Sequence, residues 1–178
     1  METYKVTVDD QCTKWYNYKD ELHRVDGPAV EFTDGEKHWY KEGKPHRVDG
    51  PACEYTNGTK LWYVEGNHHR TDGPAIEYAS ETKRWYKEGK LHREDGPAIK
   101  YANGYKAWYK EGKCHRGDGP AIEYANGDKW WFIEGELHRL DGPAIENADG
   151  YEEWYIEGKR FFNFKKKLFN LFKYFTFT

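Results

Sequence analysis

The chain has 178 residues, with 28 Lys and Arg against 31 Asp and Glu, and a formal net charge of −3. This near balance argues against a protein that binds nucleic acid through bulk positive charge. A mean hydropathy of −1.12 argues against a membrane-spanning helix. An aromatic content of 18% is far too high for a disordered chain. Composition therefore indicates a soluble, turn-rich β protein.

Residues 1–22 precede a regular pattern and are predicted to form an N-terminal cap hairpin. They contain no signal peptide, since Met1-Glu2-Thr3-Tyr4 has neither a basic nor an apolar region. The three cysteines, Cys12, Cys53 and Cys114, have no disulfide or metal-binding spacing. We therefore expect an intracellular, cytoplasmic protein.

Residues 23–160 contain six copies of a 23-residue unit. The unit reads His-Arg-x-Asp-Gly-Pro-Ala-Ile-Glu-Tyr-Ala-Asn-Gly-x-Lys-x-Trp-Tyr-x-Glu-Gly-Lys-x. Its first residue is His23, His46, His69, His92, His115 and His138 in units 1 to 6. A fixed period without insertions indicates an array in which each unit packs on its neighbours.

Each unit carries the signals of two short strands and two turns. Asn103-Gly104 is typical of a two-residue type I′ turn, which pairs Ile99 with Trp108 and Ala98 with Tyr109. Alternation then places Ile99 and Trp108 on one face, the predicted core, and Tyr109 on the other. A three-residue loop would shift this register.

Stacked hairpins predict an all-β fold: an elongated array of antiparallel β-hairpins. Two strands per unit at a spacing of ~4.8 Å give a rise of roughly 9.6 Å per unit. The tryptophan column is assigned to the core, and consists of Trp39, Trp62, Trp85, Trp108, Trp131 and Trp154. The tyrosine column is the predicted partner-binding surface, with second-layer packing as the alternative, and consists of Tyr40, Tyr63, Tyr86, Tyr109, Phe132 and Tyr155.

The recurring histidines do not indicate a metal site. Two imidazole nitrogens on one zinc ion lie within roughly 4.2 Å of each other, whereas equivalent histidines are about 9.6 Å apart in a stacked array. A site repeated six times also argues against a single active centre, so we predict no enzyme activity, no metal and no cofactor. Arg47 and Asp49, with their copies, are expected to pair in the turns, and the histidine ring to donate to a neighbouring carbonyl.

Residues 161–178 are rich in Phe and Lys and are predicted to form a short amphipathic helix. Three roles stay open: a cap on the end of the array, an interfacial membrane helix, or a self-association surface. The candidate membrane or self-association residues are Phe164, Lys165, Lys166, Lys167, Leu168 and Phe172.

The repeat resembles the MORN repeat, which also has a 23-residue unit. Tyr40, Gly43 and His46 show the MORN spacing of an aromatic residue three positions before glycine and histidine three positions after it. The pattern is a variant, with Tyr40 and Arg47 where MORN repeats usually carry Trp and Gly. It is similar to repeat proteins predicted in large DNA viruses, phages and some bacteria, which would place the chain in an infected cell. The resemblance implies a hairpin array that serves as a scaffold.

We therefore expect a non-enzymatic scaffold that binds another protein along its length, or a second copy of itself, and no nucleic acid. The alternative is a scaffold attached to the periphery of an anionic membrane through residues 161–178. Two departures from the repeat stand out: Ser80-Glu81 replaces Asn-Gly and predicts a different turn, and Lys100 replaces a recurring glutamate.

Overall fold

A computed structural model of the protein describes residues 3–161. Within that range the fold is all-β, so no helix there is long and apolar enough to cross a membrane. The strands are β1 (Lys5–Val8), β2 (Cys12–Tyr16), β3 (Val30–Phe32), β4 (Lys37–His38), β5 (Tyr40–Lys41), β6 (Lys44–Pro45), β7 (Cys53–Glu54), β8 (Lys60–Leu61), β9 (Tyr63–Val64), β10 (Asn67–His68), β11 (Ile76–Glu77), β12 (Lys83–Arg84), β13 (Tyr86–Lys87), β14 (Lys90–Leu91), β15 (Ile99–Lys100), β16 (Lys106–Ala107), β17 (Tyr109–Lys110), β18 (Lys113–Cys114), β19 (Ile122–Glu123), β20 (Lys129–Trp130), β21 (Phe132–Ile133), β22 (Glu136–Leu137), β23 (Ile145–Glu146), β24 (Glu152–Ile156) and β25 (Lys159–Phe161).

The C-terminal boundary differs from the prediction. Phe161 ends strand β25 and pairs with Trp154, so the helix predicted over 161–178 does not begin at residue 161. The remainder of that helix, with Phe164, Lys165, Lys166, Lys167, Leu168 and Phe172, lies outside the described residues.

A single antiparallel sheet runs the length of the array and confirms the predicted array of antiparallel hairpins. It contains 15 strands in the order β1-β2-β3-β4-β7-β8-β11-β12-β15-β16-β19-β20-β23-β24-β25. Each unit contributes two strands, and fifteen strands spaced at about 4.8 Å span roughly 67 Å.

A second layer consists of the small hairpins β5–β6, β9–β10, β13–β14, β17–β18 and β21–β22. Neighbouring hairpins are joined by backbone hydrogen bonds: Gly66 N–H donates to Pro45 O at 3.0 Å, and Arg47 N–H donates to Tyr63 O at 3.0 Å. The tryptophan backbone marks the crossing between layers, since Trp62 N–H donates to Ala75 O in the main sheet and Trp62 O accepts from His69 N–H. Each unit is therefore tied to the next in both layers.

The predicted register of the first hairpin is wrong by one residue. Ile99 pairs with Ala107, and the loop has three residues, with only Gly104 at positive φ (96°). Gly104 N–H donates to Tyr101 O at 3.1 Å, and Tyr101 N–H donates to Tyr105 O at 3.0 Å. This is the three-residue hairpin that ends in a left-handed glycine and a bulge. The extra residue moves Trp108 to the face opposite Ile99.

The two-residue loop occurs at the other turn of the unit. Lys110 pairs with Lys113 around Glu111-Gly112, and both central residues have positive φ, 49° and 82°. These are the dihedral signs of a type I′ turn. Glutamate is poorly suited to the left-handed region, so this turn needs support from elsewhere in the fold.

The turn at Ser80-Glu81 keeps the same geometry as its copies, against the expectation that it differs. Glu81 N–H donates to Tyr78 O at 3.0 Å, and Tyr78 N–H donates to Thr82 O at 2.9 Å. Glu81 reaches φ 63°, where the other units have glycine. The neighbouring hydrogen bonds of the sheet impose the turn in spite of the unfavourable residue.

The core is built from two buried columns, each with one residue per unit. The first column is fully buried and small, and the second lies beside it on the strand: Ala29, Ala52, Ala75, Ala98, Ala121 and Ala144, followed by Val30, Cys53, Ile76, Ile99, Ile122 and Ile145. Burial raises the pKa of the Cys53 thiol to about 11 and that of Cys114 to about 12. Both thiols are therefore held in their protonated, unreactive form.

Candidate binding surface

Each unit's arginine lies flat on a tryptophan ring. The distance from the guanidinium carbon to the ring centroid is 3.9–4.2 Å in the six pairs, which are Arg24–Trp15, Arg47–Trp39, Arg70–Trp62, Arg93–Trp85, Arg116–Trp108 and Arg139–Trp131. Cation–π contacts of this kind contribute about 0.5–1 kcal/mol at exposed sites and more when desolvated. The arginine side chains are only 20–24% exposed.

The guanidinium is held in place by hydrogen bonds within its own unit. Arg116 Nε donates to Asp118 Oδ1 at 2.8 Å, and Nη1 donates to both Pro120 O and Glu123 Oε1 at 3.1 Å. The arginine therefore organises the loop that follows it. The expected Arg–Asp pairing is present, and it lies within one unit. The same hydrogen bond holds the pKa of the Asp118 carboxyl below its ordinary value.

This packing explains the glycine of the Asp-Gly-Pro sequence. A Cβ on Gly119 would lie 3.0 Å from Arg116 Cζ, and the corresponding distances in the other five units are 2.6–3.1 Å. No left-handed dihedral is involved, so the glycine is required because the guanidinium covers its Cα. Each arginine is thus enclosed between a tryptophan ring and a backbone segment.

The histidine links the start of its unit to the last turn of the same unit, although not as predicted. His115 Nδ1 accepts a hydrogen bond from Glu134 N–H at 3.2 Å, where donation to a carbonyl was expected. All six histidines make this contact with the glutamate 19 residues later, at 3.1–3.2 Å. That glutamate is the left-handed residue of the type I′ turn. The histidine therefore supports the strained turn near the end of its own unit.

The structure leaves the tryptophan column partly buried. An arginine covers one face of Trp39, Trp62, Trp85, Trp108 and Trp131, and the fully buried positions belong to smaller side chains. The packing of arginine on each tryptophan was not predicted from the sequence. Its signal is the constant separation of eight residues between tryptophan and arginine in units 2 to 6.

The tyrosine column is also partly buried. Tyr109 and Phe132 pack against the buried cluster that contains Ile99 and Ile122. Tyr63 stacks on His68 with ring centroids 4.0 Å apart, and burial raises the pKa of Tyr63 to about 12. Tyr40, Tyr86 and Tyr109 lie along the grooves described next.

Open grooves separate the consecutive loops that run from histidine to proline, here called the HR loops: 23–28, 46–51, 69–74, 92–97, 115–120 and 138–143. Cavities of 610, 680 and 760 Å³ lie between loops 1 and 2, 3 and 4, and 4 and 5. Each has two HR loops as walls, with tryptophan, tyrosine and lysine between them. These three grooves therefore share one layout.

The third residue of each HR loop varies and is solvent-exposed. In loop order these residues are Val25, Val48, Thr71, Glu94, Gly117 and Leu140. Val25 and Val48 are 72% and 82% exposed, and Leu140 is 60% exposed. The groove between loops 1 and 2 therefore has apolar rims, whereas the groove between loops 4 and 5 is bordered by Glu94 and Gly117.

Within residues 3–161 there is no group of three or more His, Cys, Asp or Glu side chains placed to hold a metal ion. The contacts of the recurring His, Arg, Asp and Glu side chains are instead those that hold turns and loops in place. The chain's sequence matches no model of a known protein family and no curated protein.

Proposed function

We propose that the protein is a non-enzymatic repeat scaffold that binds another protein along its row of HR loops. One observation carries this proposal: a constant loop framework presents, in each unit, one exposed position whose residue type varies along the array. Repeat proteins use surfaces of this kind, since a fixed framework can display different side chains at regular intervals.

The framework is rigid enough for this role. Arg47 is enclosed by Trp39 and held by hydrogen bonds to Asp49, Pro51 and Glu54, so loop 2 is fixed before a partner arrives. A preorganised surface loses less conformational entropy on binding than a mobile one. Contact with the tyrosine column remains a prediction, and the tyrosines that line the grooves support it.

We also propose that the array is a variant of the MORN repeat. The 23-residue period and the stacked antiparallel hairpins support this assignment. The type I′ turn at Glu-Gly precedes the histidine that begins each of units 2 to 6, at the positions where the sequence carries the MORN spacing. A scaffold role accords with this resemblance.

The test compares two charge insertions of equal size. The double variant Val25→Asp/Val48→Asp places carboxylates on the rims of the apolar groove. The control, Val6→Asp/Val8→Asp, changes two exposed valines of strand β1. Proteins captured from an extract of the source cells by the immobilised full chain are identified by mass spectrometry, and the affinity of each for the purified chains is measured.

We expect a captured protein to bind wild type and the β1 control equally and to lose affinity for the groove variant by about tenfold or more, because each buried carboxylate would have to be desolvated. Circular dichroism verifies that both variants are folded. Equal affinity for the groove variant and the control would refute the HR-loop surface.

The alternative function is peripheral attachment to an anionic membrane. Residues 159–178 contain six basic residues and no acidic residue, which supports this second candidate. Flotation with anionic vesicles, comparing the full chain with one that ends at Gly158, separates the two functions. The scaffold proposal predicts no flotation of either chain, and flotation of the full chain alone would establish the membrane function.

A further inference from the structure

The outer face of the main sheet carries a stripe of charged residues, one from each of the twelve strands from β3 to β24 in the sheet order. Cross-strand pairing gives their order in space as Glu31, Lys37, Glu54, Lys60, Glu77, Lys83, Lys100, Lys106, Glu123, Lys129, Glu146 and Glu152. Acidic and basic residues alternate along most of the stripe. Neighbouring side chains of opposite charge on adjacent strands stabilise a sheet, and like charges destabilise it.

The alternation fails at the centre of the stripe. Lys100 pairs with Lys83 on one side and with Lys106 on the other, so three lysines occupy adjacent strands. Lys106 Nζ has Glu123 Oε2 at 3.3 Å. Glu77 borders the patch on the other side, next to Lys83, and pairs with Arg70. The excess positive charge is therefore confined to three strands.

The presence of lysine instead of glutamate at position 100 also deprives an arginine of a carboxylate partner. In the five other units, arginine Nη1 donates to a glutamate seven residues later, at 2.5–3.3 Å. The corresponding residue for Arg93 is Lys100. Arg93 keeps its bonds to Asp95 Oδ1 and Pro97 O, at 2.8 and 3.4 Å. Its guanidinium is positioned as in the other units, but the carboxylate that it meets there is missing.

We propose that Lys83, Arg93, Lys100 and Lys106 form a binding site, here called the Lys100 site, for an acidic segment of a partner protein. A carboxylate from the partner takes the place that glutamate holds in the other units and accepts from Arg93 Nη1. Arginine in a fixed orientation suits a carboxylate because its donors match the two oxygens. The lysines neutralise a second acidic side chain of the same segment.

The size and surroundings of the site favour a short acidic peptide over a larger polyanion. Three strands at ~4.8 Å spacing span only about 10 Å, and alternate side chains of an extended peptide are roughly 6.6 Å apart, so two carboxylates fit. Residues 1–158 carry 22 basic and 31 acidic residues, a charge of −9, which repels nucleic acid and anionic membranes. The inference rests on the proposed scaffold function, since it specifies the chemistry of the protein partner.

The test measures fluorescence anisotropy of a labelled hexaglutamate peptide with the full chain. Lys100→Glu restores the residue found in the other units and provides Arg93 with an internal carboxylate. Lys44→Glu makes the same change of charge at an exposed position of hairpin β5–β6, away from the site, and serves as the control. We expect Lys100→Glu to weaken peptide binding by about tenfold or more and Lys44→Glu to change it by less than about twofold.

Three results would overturn the Lys100 site. These are no binding of hexaglutamate to wild type, equal weakening by Lys100→Glu and Lys44→Glu, or equal affinity for a labelled single-stranded oligonucleotide of the same charge. None of them affects the capture experiment with the Val25→Asp/Val48→Asp variant, so the scaffold proposal and the Lys100 site can fail separately.

Discussion

Units 3 and 4 follow each other in the array, and each departs once from the repeat, in different ways. Unit 3 keeps the Arg70–Glu77 pair but has Glu81 in a left-handed turn position. Unit 4 keeps Gly104 in that turn but has Lys100 where the glutamate belongs. The first departure strains the backbone of a turn, at an exposed residue outside the charged stripe. The second leaves the backbone intact and changes the charge that the surface presents.

The difference shows which constraints the array enforces. Backbone hydrogen bonds between strands fix the turn of unit 3 even with an unsuitable residue. The charged stripe has no comparable constraint, because its side chains lie on an exposed face and contribute little individually to stability. Sequence changes that alter function can therefore accumulate on the stripe.

The largest effect is expected at the glycines beneath the arginines. A Cβ would lie 2.8 Å from Arg70 Cζ in Gly73→Ala and 3.1 Å from Arg93 Cζ in Gly96→Ala. We expect Gly73→Ala to reduce the free energy of unfolding by about 1–3 kcal/mol, as overpacking does, and Gly96→Ala by less. The reason is that displacing Arg70 also breaks its hydrogen bond to Glu77, whereas Arg93 has no glutamate at the corresponding position.

Urea denaturation of the two variants measures this difference. Gly117→Ala is the control, because nothing lies within 4 Å of its added Cβ and its φ is not positive. That variant should lose no stability. Equal losses in Gly73→Ala and Gly96→Ala would contradict the role assigned to Glu77.

The second-largest effect on stability is expected at the turn that contains Glu81 in unit 3 and Gly104 in unit 4. Glu81→Gly should stabilise unit 3 by about 1 kcal/mol because it removes a left-handed non-glycine residue. Gly104→Ala should destabilise unit 4 by about the same amount. No atom lies within 4 Å of the Cβ position at Gly104, so only the dihedral angle changes.

Thermal denaturation checks both changes, with Glu81→Ala as the control. Alanine removes the carboxylate but keeps the left-handed strain, so its stability should stay close to that of wild type. A gain in Glu81→Ala equal to that in Glu81→Gly would assign the effect to the charge and not to the backbone.

The smallest effect on stability is expected from Lys100→Glu. This substitution places a carboxylate between Lys83 and Lys106 and beside Arg93. We expect the free energy of unfolding to increase by about 0.5 kcal/mol. The gain should disappear in 1 M salt, where the Debye length is about 3 Å. Urea denaturation at low and high salt tests this, and a gain that persists in 1 M salt would exclude an electrostatic cause.

The period, the strands and the antiparallel hairpins were predictable, because a 23-residue repeat with turn residues at fixed offsets leaves few other folds. The register was not. Asn103-Gly104 fits a two-residue loop and also the last two positions of a three-residue loop. The choice between the two loops depends on pairing across several strands. The three-residue loop is the one that forms, and it moves Trp108 to the other face.

The framework of the candidate surface was only partly predictable. Arg116 and Trp108 are separated by an entire hairpin, so no local pattern connects them, although their constant separation of eight residues is visible in the sequence. The type I′ turn at Glu134-Gly135 was concealed because glutamate disfavours it. Its support, His115 Nδ1, lies 19 residues earlier in the chain.

That contact gives the array a direction and a simple means of growth. Each histidine supports a turn that lies 19 residues later in its own unit, so a newly synthesised turn meets its support in a segment that was made before it. A tandem duplication of 23 residues in the gene would insert a unit that carries both the strained turn and the histidine that supports it. The protein can therefore become longer or shorter by whole units without inventing a new contact.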